Sequence, residues 1–176
     1  METRSQTNQT SILQNFFLTC LQELYWSETH LVNVLNSMSK AATNVELQEA
    51  FIQHVEETTK HKERLEQVFA KMGIEPQAEP CMGLQGLFDE GWQVIDETEP
   101  GTNQRDVALI IAAQKVEHYE IASYGSLITL AKTMGQKEIA DLLVPTLKEE
   151  KDTDLALTKI AENGINAEAT QEKMNA

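Results

Sequence analysis

Four segments of this 176-residue chain carry acids and histidines at spacings that could bind metal ions. They supply Glu28, then His54, Glu57 and His61, then Glu117 and Glu120, and finally Glu150 with Asp154. Carboxylate and imidazole are the ligands that divalent iron, manganese and zinc take from proteins. Glu117 and Glu120 are three residues apart and so are neighbours on a helix. They share their stripe with Ile110, Ile121 and Tyr124, which would face a core. An isolated ionised carboxylate in such a core is very unfavourable, and several together repel one another. Two divalent cations among them would answer both problems. Six acids carry six negative charges and two such ions neutralise four. At least one acid is therefore expected to be protonated, turned outward or outside the ligand set, Asp154 first because its side chain is shortest, Glu120 next.

Each segment alone has a plainer reading. A glutamate on a helix seam is more often a salt-bridged edge residue, and His54 by itself a satisfied core histidine. The coincidence on four segments favours metal binding. His30 lies across its helix from Glu28 and reads as surface, and His118 is one residue off its stripe and reads as surface or as support for a ligand.

The elements that must position these groups are four long helices, since no segment alternates with period two. Helix one spans about residues 10–42, with the seam Phe17, Leu21, Leu24, Glu28, Leu31, Leu35, Met38. Helix two spans about 46–72 and stops at Gly73, a usual C-terminal signal. Helix three spans about 103–133 and ends at Gly135. Helix four spans about 136–163, with Pro145 as a possible kink or break and Gly164 as its end. Between helices two and three, proline-bearing stretches flank GLQGLFDEGWQVIDE, whose Leu84, Leu87, Phe88, Trp92 and Ile95 share one face. This predicts a short amphipathic helix inside a long crossover. Two tight hairpins joined by one long connection make an all-α, ferritin-like antiparallel four-helix bundle. The candidate groups fall near mid-helix on every element, so antiparallel packing brings them to one level. Leu24, Leu31, Phe51, Ile121 and Leu147 would line the site, and Tyr124 could pack there or donate a hydrogen bond.

The length suits a single domain over 1–176, with its core at 11–163 and frayed tails. The net charge of −14 would repel a nucleic-acid backbone and an anionic membrane. METRSQTNQT lacks the apolar core of a secretion signal. Cys20 and Cys81 form no close pair in sequence, Cys20 reading as an apolar filler beside Phe16 and Leu24. A cytoplasmic setting is expected.

SETHL after LYW, HVEETTKHKERLEQVF, QKVEHYEIASYG and LKEEKDTDLALTKIA together resemble the YciE/YciF family of bacterial ferritin-like stress proteins, over about residues 11–163. The resemblance implies a ferritin-like bundle with a dinuclear, ferroxidase-like metal site and a homodimer. It places Glu28, His54, Glu57, Glu117, Glu120 and Glu150 at or beside the metals. In two respects the chain departs from the general ferritin-like pattern. His54 precedes Glu57 in helix two, and helix four has no histidine but Asp154 four residues after Glu150. So oxygen-rich a ligand set favours iron or manganese over zinc. The expected function is a di-iron carboxylate protein that consumes oxygen or peroxide in stress protection. The alternative is a non-catalytic helical bundle with a vestigial or single-metal site.

Overall fold

The starts of three of the four long helices are written in their first residues. In the computed structural model, which describes residues 11–173, Ser11 caps α1 (Ile12–Ala41). Its hydroxyl accepts from the Gln14 amide at 3.1 Å, and the Gln14 side chain accepts from the Ser11 amide at 2.8 Å. Asn44 caps α2 (Val45–Met72) and Thr102 caps α4 (Asn103–Thr133), each through its side-chain oxygen. Gly73 and Gly135 follow α2 and α4 with φ of 72° and 75°, the left-handed conformation that closes a helix without a Cβ penalty. The crossover helix α3 covers Met82–Glu97, and α5 covers Lys137–Ile160.

These elements form the expected antiparallel bundle. α1 pairs with α2 and α4 with α5, the two hairpins meet chiefly along α2 and α5, and α3 lies over α4 and α1. One latch sets their relative heights. The buried Asp106 carboxylate accepts from the amides of Thr43 and Asn44 at 2.8 and 2.7 Å, tying the α1–α2 turn to the first turn of α4. Beside it, Arg105 donates to the carbonyls of Ile95 and Thr98, fixing the end of α3.

Pro145 does not interrupt α5. The break comes instead at a wide turn, Ala161–Ile165, where Gly164 leaves helical geometry. The expected fraying beyond Gly164 is not what the described residues do. Ile165 is buried, a short α6 (Asn166–Ala169) follows, and the Glu172 carboxylate accepts from the amides of Asn103 and Gln104 at the start of α4. The two cysteines, remote in sequence, line one open groove of about 460 Å³ with Phe16 and Leu24, and Cys81 Sγ lies 3.3 Å from Tyr119 Oη.

The apolar interior is in two parts. One joins Leu31, Leu35 and Met38 to Leu47, Phe51, Leu109 and Leu157. The other joins Phe17, Leu21 and Leu24 to Leu65, Phe69, Leu127 and Leu143. Between them, at mid-height, lies a layer of buried polar side chains.

Candidate metal centre

That layer is built from the middle of each long helix. α1 supplies Glu28, α2 supplies His54 and His61, α4 supplies Glu117 and Glu120, and α5 supplies Glu150, each at most 1% exposed. His54 and His61 are seven residues apart, two turns of one stripe, so both rings face inward. Their ligand atoms fall into two groups, each with all members within 4.8 Å of one another. The first is His54, Glu117, Glu120 and Glu150, and the second is Glu28, His61 and Glu150. Glu150 belongs to both.

Many of these atoms have no hydrogen-bond partner. Glu28 Oε2, His54 Nε2, His61 Nδ1, Glu117 Oε2 and both oxygens of Glu120 and of Glu150 are buried and unpaired. His61 Nδ1 lies 2.9 Å from Glu150 Oε1 and His54 Nε2 lies 3.1 Å from Glu117 Oε1, near each other without hydrogen-bond alignment. Buried polar groups in folded proteins are nearly always satisfied. Unpaired lone pairs converging from six side chains are what cation ligands look like without the cation. The buried set can hold a metal ion by composition as well. Its four carboxylates carry four negative charges, as many as two divalent ions neutralise, with one imidazole in each group.

Burial pushes the carboxyls of Glu28, Glu120 and Glu150 above their usual range. Burial opposes charge on His61 as well, but Glu28 and Glu150 override it and push the imidazole up to about 10. His54 is likewise raised well above its ordinary value, Glu117 outweighing burial. In the metal-free protein the layer therefore favours bound protons. A raised value adds stability that is complete below the ordinary one and is lost as pH rises through the folded one. For His61 that window runs from 6.5 to about 10, and the three buried acids act in the same direction above 4.5. Glu57 and Glu149 are held low and act only toward the acid end. The metal-free protein is thus expected to melt at lower temperature at pH 9 than at pH 7, and the metal-loaded protein to change far less. Equal slopes in calorimetric scans of the two forms would contradict this.

Two expected ligands stay outside. Glu57 is partly exposed and touches the back of His54, with Oε2 3.6 Å from Nδ1, and this contact holds its carboxyl down at about 2. Asp154 lies on the flank of α5, accepting from Gln114 Nε2 at 3.0 Å and facing His118 at 3.4 Å. Both are correctly spaced for a helix face, but the outer flanks of α2 and α5 look to solvent at these positions. Glu120 goes inward because it falls on the buried seam Ala113, Glu117, Glu120, Tyr124, Leu127 of α4, spaced by alternating threes and fours. His30 is exposed and stacked on Trp26. Tyr124 is buried and donates to Glu28 Oε1 at 2.5 Å. Leu24, Leu31 and Phe51 are buried in the flanking cores, while Ile121 and Leu147 are half-buried.

Sequence reasoning missed one pair. Glu149 accepts from Arg64 through both oxygens and lies 3.0 Å from His61 Nε2. The only signal was Glu149 beside Glu150 and Arg64 one turn after His61, and pairing them needs the inter-helix register. The result is that the two imidazoles face the cluster through different nitrogens, His54 through Nε2 and His61 through Nδ1. Glu149 backs the His61 ring at hydrogen-bond distance and orients it, while Glu57 lies behind His54 at the longer 3.6 Å.

A family described as a domain of unknown function, DUF892, matches residues 12–170. Protein YciF of Escherichia coli K12 is 42% identical over 158 residues, spanning 89% of this chain and 95% of that protein. The crystal structure of that E. coli stress protein superposes with a TM-score of 0.84 over 89% of this chain and 98% of its own. YcfI from Rhodopseudomonas palustris is 35% identical, with a TM-score of 0.81 over 86% of this chain and 96% of its own. Among the described residues no helix is long and apolar enough to cross a membrane.

Proposed function

The chain belongs to the DUF892 family, and from that premise we propose that its buried layer is a dinuclear metal centre that consumes oxygen or peroxide. The observation that carries this reading is the set of unpaired buried atoms on Glu28, His54, His61, Glu117, Glu120 and Glu150. His54, Glu117, Glu120 and Glu150 would hold one ion, and Glu28, His61 and Glu150 the other. One nitrogen and otherwise oxygen at each position favour iron, then manganese, over zinc. Two ferrous ions, when bound, supply two electrons to oxygen or peroxide, the chemistry of a ferroxidase-like stress protein.

The chain's own residues do the rest. Tyr124 fixes the Glu28 carboxylate by its hydrogen bond. Glu149, clamped by Arg64, holds the His61 ring with Nδ1 inward. The Thr58 hydroxyl is buried without a partner on the stripe between the two histidines, placed to donate to a substrate oxygen. The apolar halves above and below exclude water. Free thiols at Cys20 and Cys81 support a reducing, cytoplasmic setting, and the likeness to the YciE/YciF family supports a homodimer.

The test is metal analysis of protein purified without chelator, followed by oxygen and peroxide consumption after anaerobic loading with Fe(II). Two ions per chain and consumption are expected. A second reading, a non-catalytic bundle, draws on the proposed structural role of YcfI. Fewer than one ion per chain, or full loading with no consumption of either oxidant, would favour it.

A further inference from the structure

The centre is enclosed, so a cation must be let in, and its sides are not equally closed. Toward α1 and α4 it meets Tyr124 and Ser27, both fully buried. Along the α2–α5 seam, the His61 end is plugged by Arg64, which bonds Glu149 through two nitrogens and Thr146 Oγ1 at 3.1 Å. The His54 end of the same seam is different. Ala50, Thr153 and Ala156 are small, and with Gln53, Glu57 and Asp152 they line a surface depression of about 90 Å³.

Glu57 lines that depression and its side chain is 20% exposed. It is loosely held. Oε1 accepts from Gln53 Nε2 at 2.9 Å, and Oε2 has only long contacts, 3.5 Å to Thr153 Oγ1 and 3.6 Å to His54 Nδ1. Among the described residues no lysine or arginine lies within ion-pair distance of it, in contrast to Glu149 and its Arg64. Behind Glu57 is a single imidazole, His54, which is buried and whose Nε2 has no hydrogen-bond partner. A carboxylate free to swing, with solvent on one side and an unpaired ligand one ring-width away on the other, is built to hand a cation inward.

We propose that divalent cations reach the centre through the α2–α5 cleft and that Glu57 is the relay ligand, passing each ion to the His54 position. This rests on the dinuclear reading above and gives Glu57 a role outside the resident ligand set. It also makes loading ordered: the His54 position fills first and the Arg64-plugged His61 position fills from it.

The experiment mixes metal-free protein with Co(II) in a stopped-flow instrument and follows the cobalt absorption, with final ion content measured separately. Glu57→Gln is expected to slow uptake on the order of tenfold, the scale on which local charge focuses a cation, and to reach the wild-type endpoint. Glu56→Gln removes the same charge from the next position of α2 and is expected to load near the wild-type rate. Ala156→Leu, an exposed position at the cleft, is expected to slow uptake with Glu57 intact. Wild-type rates in both Glu57→Gln and Ala156→Leu would overturn the route. Equal slowing in Glu56→Gln would reduce it to general attraction, and a lower endpoint in Glu57→Gln would make Glu57 a resident ligand instead. Wild-type protein that binds no cobalt would sink the metal centre itself, an outcome readable apart from these.

Discussion

Glu150→Gln is expected to empty both metal positions together. Glu150 is the one side chain in both ligand groups, with an oxygen 2.9 Å from His61 Nδ1 and the other 3.8 Å from His54 Nε2. Glutamine keeps the volume but removes the charge, so the remaining three carboxylates no longer balance two divalent ions. Loss of a partner behind a metal ligand costs about 10- to 100-fold in affinity, and loss of a shared ligand should exceed the upper figure. Metal analysis by plasma emission should therefore read near zero, with the helical content retained. One ion persisting per chain would show that the two positions do not depend on a common ligand.

Glu120→Leu is expected to change sign with metal. Glu120 is fully buried and neither oxygen has a partner. Burial and the nearby Glu28, Glu150 and Glu117 push its carboxyl well above the usual range, which favours its neutral form in the metal-free protein. Protonation softens the cost of burying it but leaves an unpaired polar group, worth about 1–3 kcal/mol. An apolar side chain of similar size removes that cost. The metal-free variant should gain stability by this amount, or about 2–4 °C in melting temperature per kcal/mol for a chain of this length. With Fe(II) present the order should reverse, because wild type gains binding energy that the variant has lost. A variant less stable than wild type in the presence of chelator would mean that Glu120 makes a favourable contact in the fold itself.

The bundle was legible because its signals are local. Glycines at 73 and 135 and the apolar seams fix the limits of α1, α2 and α4 to within a residue or two, while α5 ends at Ile160, three residues before the expected end. The ligand set was legible at the level of the stripe and not of the flank. Glu120 follows Glu117 by three, and Glu57 follows His54 by three, yet one is buried and the other is not. The difference is one of register: Glu120 lies on the buried seam Ala113, Glu117, Glu120, Tyr124, Leu127 of α4, while Glu57 lies one residue off the buried seam His54, Thr58, His61 of α2. The Arg64–Glu149 clamp was hidden for a different reason, since it depends on how far α2 slides along α5. Pro145, a possible break by sequence, stands inside α5 without ending it, between the buried Leu143 and Thr146.

The division of the apolar interior by a polar layer bears on cooperativity. Every long helix runs through both halves, but their side chains meet only across the acids and histidines. Cations there act as cross-links between two folding units, binding four helices at mid-length. Without them the halves are joined by helix backbone and the few hydrogen bonds of the layer, so amide exchange should divide into two protection classes on either side of Glu28 and Glu150, and merge into one when the ions return.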